Sequence, residues 1–168
     1  MQIEYEISEQ DFLDAQKLAV RNAPNLTTRL LLRVLPFWGV FVFLGVAWPV
    51  FKQGFAWKAE MIVPLAFATL CLASPLLVKR AYQKAYRGNP SYKGKRTLIL
   101  NESGLDLSGP TFSSQLKWEN FIRFVEDEKV VLLYQSGQVV QIVPKRQLSP
   151  EQITELREAF TRHIGAKG

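Results

Sequence analysis

The sequence predicts an α+β membrane protein, in which a two-helix transmembrane hairpin carries a cytoplasmic domain of short strands closed by a C-terminal helix. Two stretches, Val34–Phe51 and Met61–Val78, are each eighteen residues long and contain no charged side chain. Seven Lys and Arg residues and no acid follow within residues 79–96. From residue 97 the apolar residues recur at strand spacing, and the chain ends on an amphipathic helical pattern.

The two apolar stretches are long enough to cross a bilayer. At about 1.5 Å rise per residue, each extends about 27 Å, close to the ~30 Å of the hydrocarbon core. We therefore predict spans over about residues 30–51 and 61–78, which form the hairpin 30–78 around the link Lys52–Glu60. The alternative is a pair of buried helices in a soluble core. A chain of 168 residues has little other sequence to cover two helices that are apolar on all faces.

The basic residues around the hairpin predict its orientation. Because Lys and Arg flanks stay in the cytoplasm, both termini should be cytoplasmic in a multi-pass protein of the inner membrane. The same side chains should contact anionic lipid headgroups of the bilayer, the expected partner surface. The predicted headgroup set is Arg29 and Arg33 before the hairpin, and Lys79, Arg80, Lys84, Arg87, Lys93, Lys95 and Arg96 in the juxtamembrane segment 79–96.

The net charge of +6 does not indicate nucleic-acid binding. Residues 97–168 hold eight basic and nine acidic side chains, so the positive excess belongs to the juxtamembrane segment. A nucleic-acid-binding domain would carry a basic face of its own. The sequence therefore predicts no nucleic-acid partner.

Residues 97–168 have the pattern of a β-rich domain, either a curved sheet or a barrel, with one helix over its open end. Gly104 is predicted to take a left-handed turn conformation between the first two strands. Ser149 and Gln152 have the spacing of a capping box, which predicts the start of the last helix. The predicted strands are Thr97–Asn101, Gly104–Ser108, Phe112–Lys117, Asn120–Glu126, Val130–Gln135 and Val139–Pro144.

The N-terminal residues 1–29 are predicted to complete this sheet. Residues 2–7 alternate apolar and acidic side chains, which is typical of a half-buried strand. An isolated strand buries too little surface to be stable. We therefore predict that it docks on the sheet edge as a seventh strand, and that Ser8 then caps an amphipathic helix over residues 9–22.

This arrangement is similar to that of a known family. The chain resembles the YcxB-like membrane proteins of bacteria in its two spans after a short strand and helix. The matching points in the domain are Trp118 opening a strand, Glu126 ending the next, Tyr134, and the turn Pro144-Lys145-Arg146 before the last helix. The resemblance extends over nearly the whole chain. It implies a pleckstrin-homology-like domain over residues 97–168, no known activity and no catalytic residues.

Sequence motifs for catalysis are lacking. No nucleophile motif or phosphate-binding loop occurs, and the single histidine, His163, stands near the end of the last helix. The acidic run Glu126–Glu128 has the composition of a metal site, but acids at a hairpin tip are far more often solvated turn residues. The single Cys71 lies in an apolar stretch. We predict a non-enzyme without cofactor or metal.

The remaining hypothesis is a membrane-anchored binding or adaptor module. The first hairpin of the domain lacks the Lys and Arg that would clamp a phosphoinositide, so a protein partner is expected at a sheet edge or beside the C-terminal helix. Lys145 and Arg146 are the candidate partner contacts. The alternatives are a structural or regulatory subunit that acts through transmembrane helix pairing, and headgroup binding by the domain. The sequence identifies neither the partner nor the oligomeric state.

Overall fold

The computed structural model describes residues 1–23, 26–53, 61–137 and 139–165. The chain divides into two units, one of Met1–Asn22 with Gln83–Gly168, and the other of Ala23–Tyr82. We call the first the β-domain and the second the apolar unit. The β-domain therefore draws on sequence from both sides of the apolar unit.

The apolar unit contains two long helices, α2 (Leu26–Gln53) and α3 (Ile62–Gly88), of which α3 belongs to this unit as far as Tyr82. α3 is long and apolar enough to cross a membrane, and 11% of its apolar window is buried. The core helix of a soluble protein would be mostly buried. In α2 the apolar stretch with described side chains, Val34–Trp48, is shorter than a full span. Most of the predicted link, residues 54–60, lies outside the described residues.

The backbones of α2 and α3 pass close to each other. A Cβ atom added at Gly39 of α2 would lie 2.8 Å from the Cβ of Cys71 and 3.0 Å from the carbonyl oxygen of Ala68, both on α3. Ala68 and Cys71 are buried. Small residues therefore form the contact between the two helices, as is common where apolar helices pack in a membrane.

The β-domain holds two antiparallel sheets, ordered β1-β2-β3-β4 and β5-β6-β7. Among the described residues the strands do not join into a closed barrel. β4 ends at a 3₁₀ turn, Trp118–Asn120, after which β5 pairs with β6 rather than with β4. The strands are β1 (Gln2–Tyr5), β2 (Arg96–Leu100), β3 (Gly104–Gly109), β4 (Phe112–Lys117), β5 (Arg123–Glu126), β6 (Val130–Tyr134) and β7 (Val140–Pro144).

The predicted N-terminal strand is confirmed. β1 pairs antiparallel with β2, with Ile3 opposite Leu98 and Tyr5 opposite Arg96. It ends at Tyr5 rather than at residue 7. Ser8 then forms a full capping box with Asp11 at the start of α1 (Glu9–Arg21).

The second sheet is covered on both faces, and all five residues of β6 are buried. Arg123 of β5 donates to the carbonyl oxygen of Asn22 at the end of α1. The next residue, Phe124, packs 5.7 Å from Phe160 of α4 (Pro150–His163). Because neighbouring strand residues point to opposite faces, α1 covers one face of the sheet and α4 the other. The capping box predicted at Ser149 and Gln152 is present.

Two local predictions are wrong. Gly104 does not have a positive φ, and the described glycines that do are Gly94 and Gly165. Gly104 is instead required by close packing, because a Cβ atom there would lie 2.1 Å from the carbonyl oxygen of Leu116 on β4. Trp118 does not open a strand but begins the 3₁₀ turn after β4.

Candidate functional site

The predicted headgroup residues differ in their exposure to solvent. Arg29 and Arg33 lie in α2, where their side chains are outside the described residues. Six cations of α3 and of the turn that follows it are exposed, as a headgroup contact requires. They are Lys79, Arg80, Lys84, Arg87, Lys93 and Lys95. Of these, Arg87 pairs with Glu9 of α1 at 3.1 Å.

Arg96 departs from the prediction because it is buried. Its exposed fraction is 4%, so its charge is not presented at the protein surface as those of the six exposed cations are. Its side chain lies on the same face of the four-stranded sheet as that of Tyr5, directly opposite on β1. The guanidinium carbon is 5.6 Å from the centre of the Tyr92 ring and 5.1 Å from that of Phe112. Nη2 donates to the carbonyl oxygen of Ser91.

Lys145 and Arg146, the candidate partner contacts, are each paired with an acidic residue of the β-domain. The side chain of Lys145 is 10% exposed and lies 2.8 Å from Glu126 of β5. Arg146 is half exposed, but its Nε donates to both carboxylate oxygens of Asp11, at 2.9 and 3.1 Å. Lys145 therefore links the turn after β7 to β5, and Arg146 links the same turn to α1.

Glu126 is the centre of a second ion-pair group. Its other partner is Arg157 of α4, with Nε 2.6 Å from the carboxylate. Burial raises the pKa of Glu126, but the hydrogen bonds from Arg157 and Lys145 outweigh this effect and leave the pKa below its usual value. The ionised Glu126 therefore links β5 to α4.

The acidic run Glu126–Glu128 has the local structure of a turn. One carboxylate oxygen of Asp127 accepts hydrogen bonds from the backbone amides of Lys129 and Val130, at 2.8 and 2.9 Å. Glu126 is occupied by its two cations. Over the part of the chain that the structure describes, no group of His, Cys, Asp and Glu side chains is arranged to hold a metal ion.

An apolar surface that the sequence did not predict lies at one end of the three-stranded sheet. Ile122 and Val139 are 52% and 48% exposed, and they are the large apolar side chains exposed among the described residues of the β-domain. The amide of Ile122 donates to the carbonyl oxygen of Tyr134, and the amide of Gln135 donates to that of Val139. Both residues therefore adjoin the end of β6. We call Ile122, Gln135 and Val139 the sheet-end patch.

The patch also contains an unpaired polar group. Nε2 of Gln135 is buried and has no hydrogen-bond partner among the described residues. A buried amide without a partner is uncommon in folded proteins. No sequence pattern marks Ile122 and Val139 as exposed, because both belong to apolar runs of the predicted strands.

Comparison with known proteins gives one match. A family model described as YcxB-like protein matches residues 100–160, which contain β3 to β7 and most of α4. Over residues 100–160 the match agrees with the resemblance found in the sequence. No curated protein and no solved structure matches the chain.

Proposed function

We propose that this chain, a YcxB-like protein, is a membrane-anchored, non-catalytic binding or adaptor module that recognises a protein partner through the sheet-end patch of its cytoplasmic domain. The observation that carries the proposal is the exposed pair Ile122 and Val139 beside the unpaired amide of Gln135. Elsewhere in the β-domain the large apolar side chains that the structure describes are at least half covered. The pleckstrin-homology-like interpretation is also supported by the order of the elements, which is a four-stranded sheet, a three-stranded sheet and a C-terminal helix.

Membrane anchoring by two spans follows from chain connectivity. Residues 1–22 and 83–168 build one unit, so they lie on the same side of any membrane that the chain crosses. If α3 crosses, the chain must also cross between residues 23 and 61, and α2 is the long helix in that interval. Sixteen large apolar side chains are exposed among the described residues, and fourteen of them lie in the apolar unit. This exposure supports the two-span arrangement. Seven basic residues after the second span support a cytoplasmic location for both termini.

The patch has the chemistry of a small interface centre. Two exposed aliphatic side chains offer apolar area, and a buried amide offers one donor that a partner's carbonyl oxygen would satisfy. The matching partner is a protein segment that presents an apolar side chain next to a backbone carbonyl group. An extended peptide carries these groups at regular intervals.

Site-specific photo-crosslinking in intact cells tests this proposal. A photoreactive residue at position 139 should yield an adduct that Ile122→Glu removes, while the same residue at Thr161, exposed on α4, should yield none. Thermal melts should show that Ile122→Glu leaves the domain folded. Adducts of equal yield at positions 139 and 161, or an adduct that survives Ile122→Glu, would overturn the proposal.

A second candidate, helix pairing in the membrane, is supported by α3 itself. Ile62, Ala66, Thr69, Leu70 and Ala73 lie on the face of α3 opposite to Ala68 and Cys71, and they line a shallow groove of about 470 Å³. Ala66, Thr69 and Ala73 are small enough to admit a second helix. A crosslinker at Leu70 should then give an adduct with the mass of two copies. If that adduct forms and position 139 gives none, the subunit hypothesis replaces the binding module.

A further inference from the structure

We propose that Arg96 and Tyr5 form the centre of a binding site for a phosphate group, at the junction of β1, β2 and the turn that follows α3. The proposal is independent of the protein partner, since it uses a different surface of the β-domain. The site is defined by Tyr5, Tyr92, Arg96 and Phe112, and the exposed Lys93 and Lys95 precede Arg96 in the chain.

A buried arginine without a carboxylate partner is the first observation. Arg96 is 4% exposed, and its guanidinium makes no ion pair with any acid that the structure describes. The other two buried charged residues, Asp11 and Asp14, are each paired with a cation. Burial of a charge is costly unless the charge is paired and hydrogen-bonded. The exception indicates that Arg96 has a partner from outside the chain.

The hydrogen-bonding groups of the site are the second observation. Nε of Arg96 and the hydroxyl of Tyr5 are both buried, and neither makes a hydrogen bond of good geometry with a described residue, although the Arg96 side chain is close enough to interact with that hydroxyl. The Nε–H group can only donate a hydrogen bond. A hydroxyl that accepts this bond still needs an acceptor for its own proton. One anionic oxygen would accept from both groups. The rings of Tyr92 and Phe112 attract the positive charge of the guanidinium but provide no such acceptor.

Tyr5 is suited to this role because it stays protonated. Burial raises the pKa of its hydroxyl to about 12, and the positive charge of Arg96 only partly offsets this effect. The hydroxyl is therefore a donor throughout the physiological pH range. Arg96 is likewise always charged, and its planar guanidinium can bind two oxygens of one phosphate group.

The surrounding turn supplies further positive charge. Lys93 and Lys95 are exposed and make no ion pair with a described residue. Gly94 between them has φ +86° and fits against Pro110, two residues from Phe112. The lysines therefore flank the segment that lies next to Arg96. Three cations within four residues suit a phosphate group better than a singly charged carboxylate.

Entry to the site involves the turn Pro90–Tyr92. Ser91 supplies the carbonyl oxygen that Nη2 of Arg96 bonds, and Tyr92 lies over the guanidinium. A phosphate oxygen would compete with this carbonyl group, so binding requires the turn to shift. The phosphate could come from a soluble anion or from a lipid headgroup, since both present the same oxygens.

The experiment uses the full chain in dodecyl maltoside, a detergent without phosphate. Inorganic phosphate should raise Tm in a saturable manner relative to chloride at equal ionic strength, as a ligand of the folded state does. Phosphate should also shift the NMR resonance of the Arg96 Nε–H group. That resonance is assigned by its absence from the spectrum of Arg96→Lys. Arg96→Met should weaken apparent phosphate affinity by about tenfold or more, and Tyr5→Phe by roughly three- to tenfold, as expected for a charged and a neutral hydrogen bond.

Two controls make the result decisive. Lys117→Gln removes an exposed cation of β4 that is not among the predicted headgroup residues, and it should leave phosphate affinity unchanged. Nanodiscs containing phosphatidylglycerol, without free phosphate, separate the two sources: a shift of the Arg96 resonance there but not with inorganic phosphate assigns the site to a headgroup. If neither phosphate nor nanodiscs move the Arg96 resonance or Tm of the unmutated chain, the proposal is wrong, whether or not Arg96→Met folds.

Discussion

The hydroxyl of Tyr86 donates a hydrogen bond of 2.8 Å to the carbonyl oxygen of Ile7, a residue 79 positions earlier in the chain. Phe12 packs 5.8 Å from the same tyrosine ring and 4.9 Å from Tyr92. Residues before and after the apolar unit thus build one domain. A truncated chain that begins after α3 would lack β1 and α1, and with them one edge of the first sheet and the cover of the second.

The contribution of β1 can be measured with one substitution. Ile3→Ala should lower the free energy of unfolding by about 2–5 kcal/mol, because Ile3 is buried opposite Leu98 and the truncation leaves a cavity. Glu4→Ala, on the exposed side of the same strand, should change it by less than about 0.5 kcal/mol. Urea unfolding of the full chain in micelles measures both. Equal unfolding midpoints for the two variants would show that β1 does not contribute to the fold.

A second prediction concerns the aromatic cluster under α4. Trp118 is 7% exposed, stacks on His163 at 4.6 Å and lies 6.1 Å from Phe160, which is fully buried. Trp118→Ala and Phe160→Ala should each cost about 3–5 kcal/mol. Because the two rings touch, the double variant should lose less than the sum of the single losses. Thermal melts test this, with Thr161→Ala as the control on the exposed side of α4. Additive losses would show that the rings do not share one packing unit.

A third prediction is a dependence of stability on pH. The pKa of Glu126 is lowered in the folded protein, so its ion pairs stabilise the fold above the unfolded pKa of about 4.3. That stability is lost as the pH falls through the lower, folded pKa. At pH 7, Glu126→Gln should cost about 1–3 kcal/mol because it leaves the nearly buried Lys145 unpaired. Glu155→Gln, exposed on α4, should have little effect.

Unfolding free energies from pH 7 to pH 3 provide the measurement. The difference between the parent and Glu126→Gln should shrink below about pH 4, where the carboxylate becomes protonated. Burial raises the pKa of Asp14, but its hydrogen bonds with Lys17, Gln10 and Lys129 outweigh this effect and lower the pKa. Asp14 is present in both the parent and Glu126→Gln, so its contribution to stability cancels in the difference. A difference that is constant over this range would contradict the assigned role of Glu126.

Local signals in the sequence were sufficient for the elements themselves. Alternating residues identified β1, and the serine-led capping boxes identified the starts of α1 and α4, because each pattern reflects geometry within a few residues. The strand boundaries differ from those predicted by three residues or fewer. The YcxB-like match over residues 100–160 agrees with this part of the interpretation.

The candidate site depended on contacts that no local pattern encodes. Arg146 is exposed, but its pairing with Asp11 joins residues 135 positions apart and could not be read from the sequence. Arg96 was assigned to the membrane surface because it belongs to a basic run, yet its position on β2, paired with Tyr5, directs it inward. Sequence spacing predicts secondary structure, whereas the burial of Arg96 and the pairing of Arg146 are determined by the elements that pack together.

The revised role of Gly104 gives a fourth prediction. Gly104→Ala should destabilise the domain by about 1–3 kcal/mol, because its Cβ would lie 2.1 Å from a carbonyl oxygen of β4 and would push the paired strands apart. Gly137→Ala is the matched control, since a Cβ there meets no atom within 4 Å. Thermal melts of both variants provide the measurement. If Gly104→Ala melts with the parent, the close approach of β3 and β4 at this point is incorrect.

The last prediction is the number of membrane crossings. β1 pairs with β2, so the segments on either side of the apolar unit are expected to share one compartment, and we predict an even number of crossings. Reporter fusions at Met1 and Gly168 should both give cytoplasmic signals, while a reporter inserted within Lys52–Glu60 should give the opposite one. A chain crossed by α3 alone would place Met1 and Gly168 on opposite sides. That result would require β1 to separate from β2, and it would contradict both the two-span anchor and the β-domain described above.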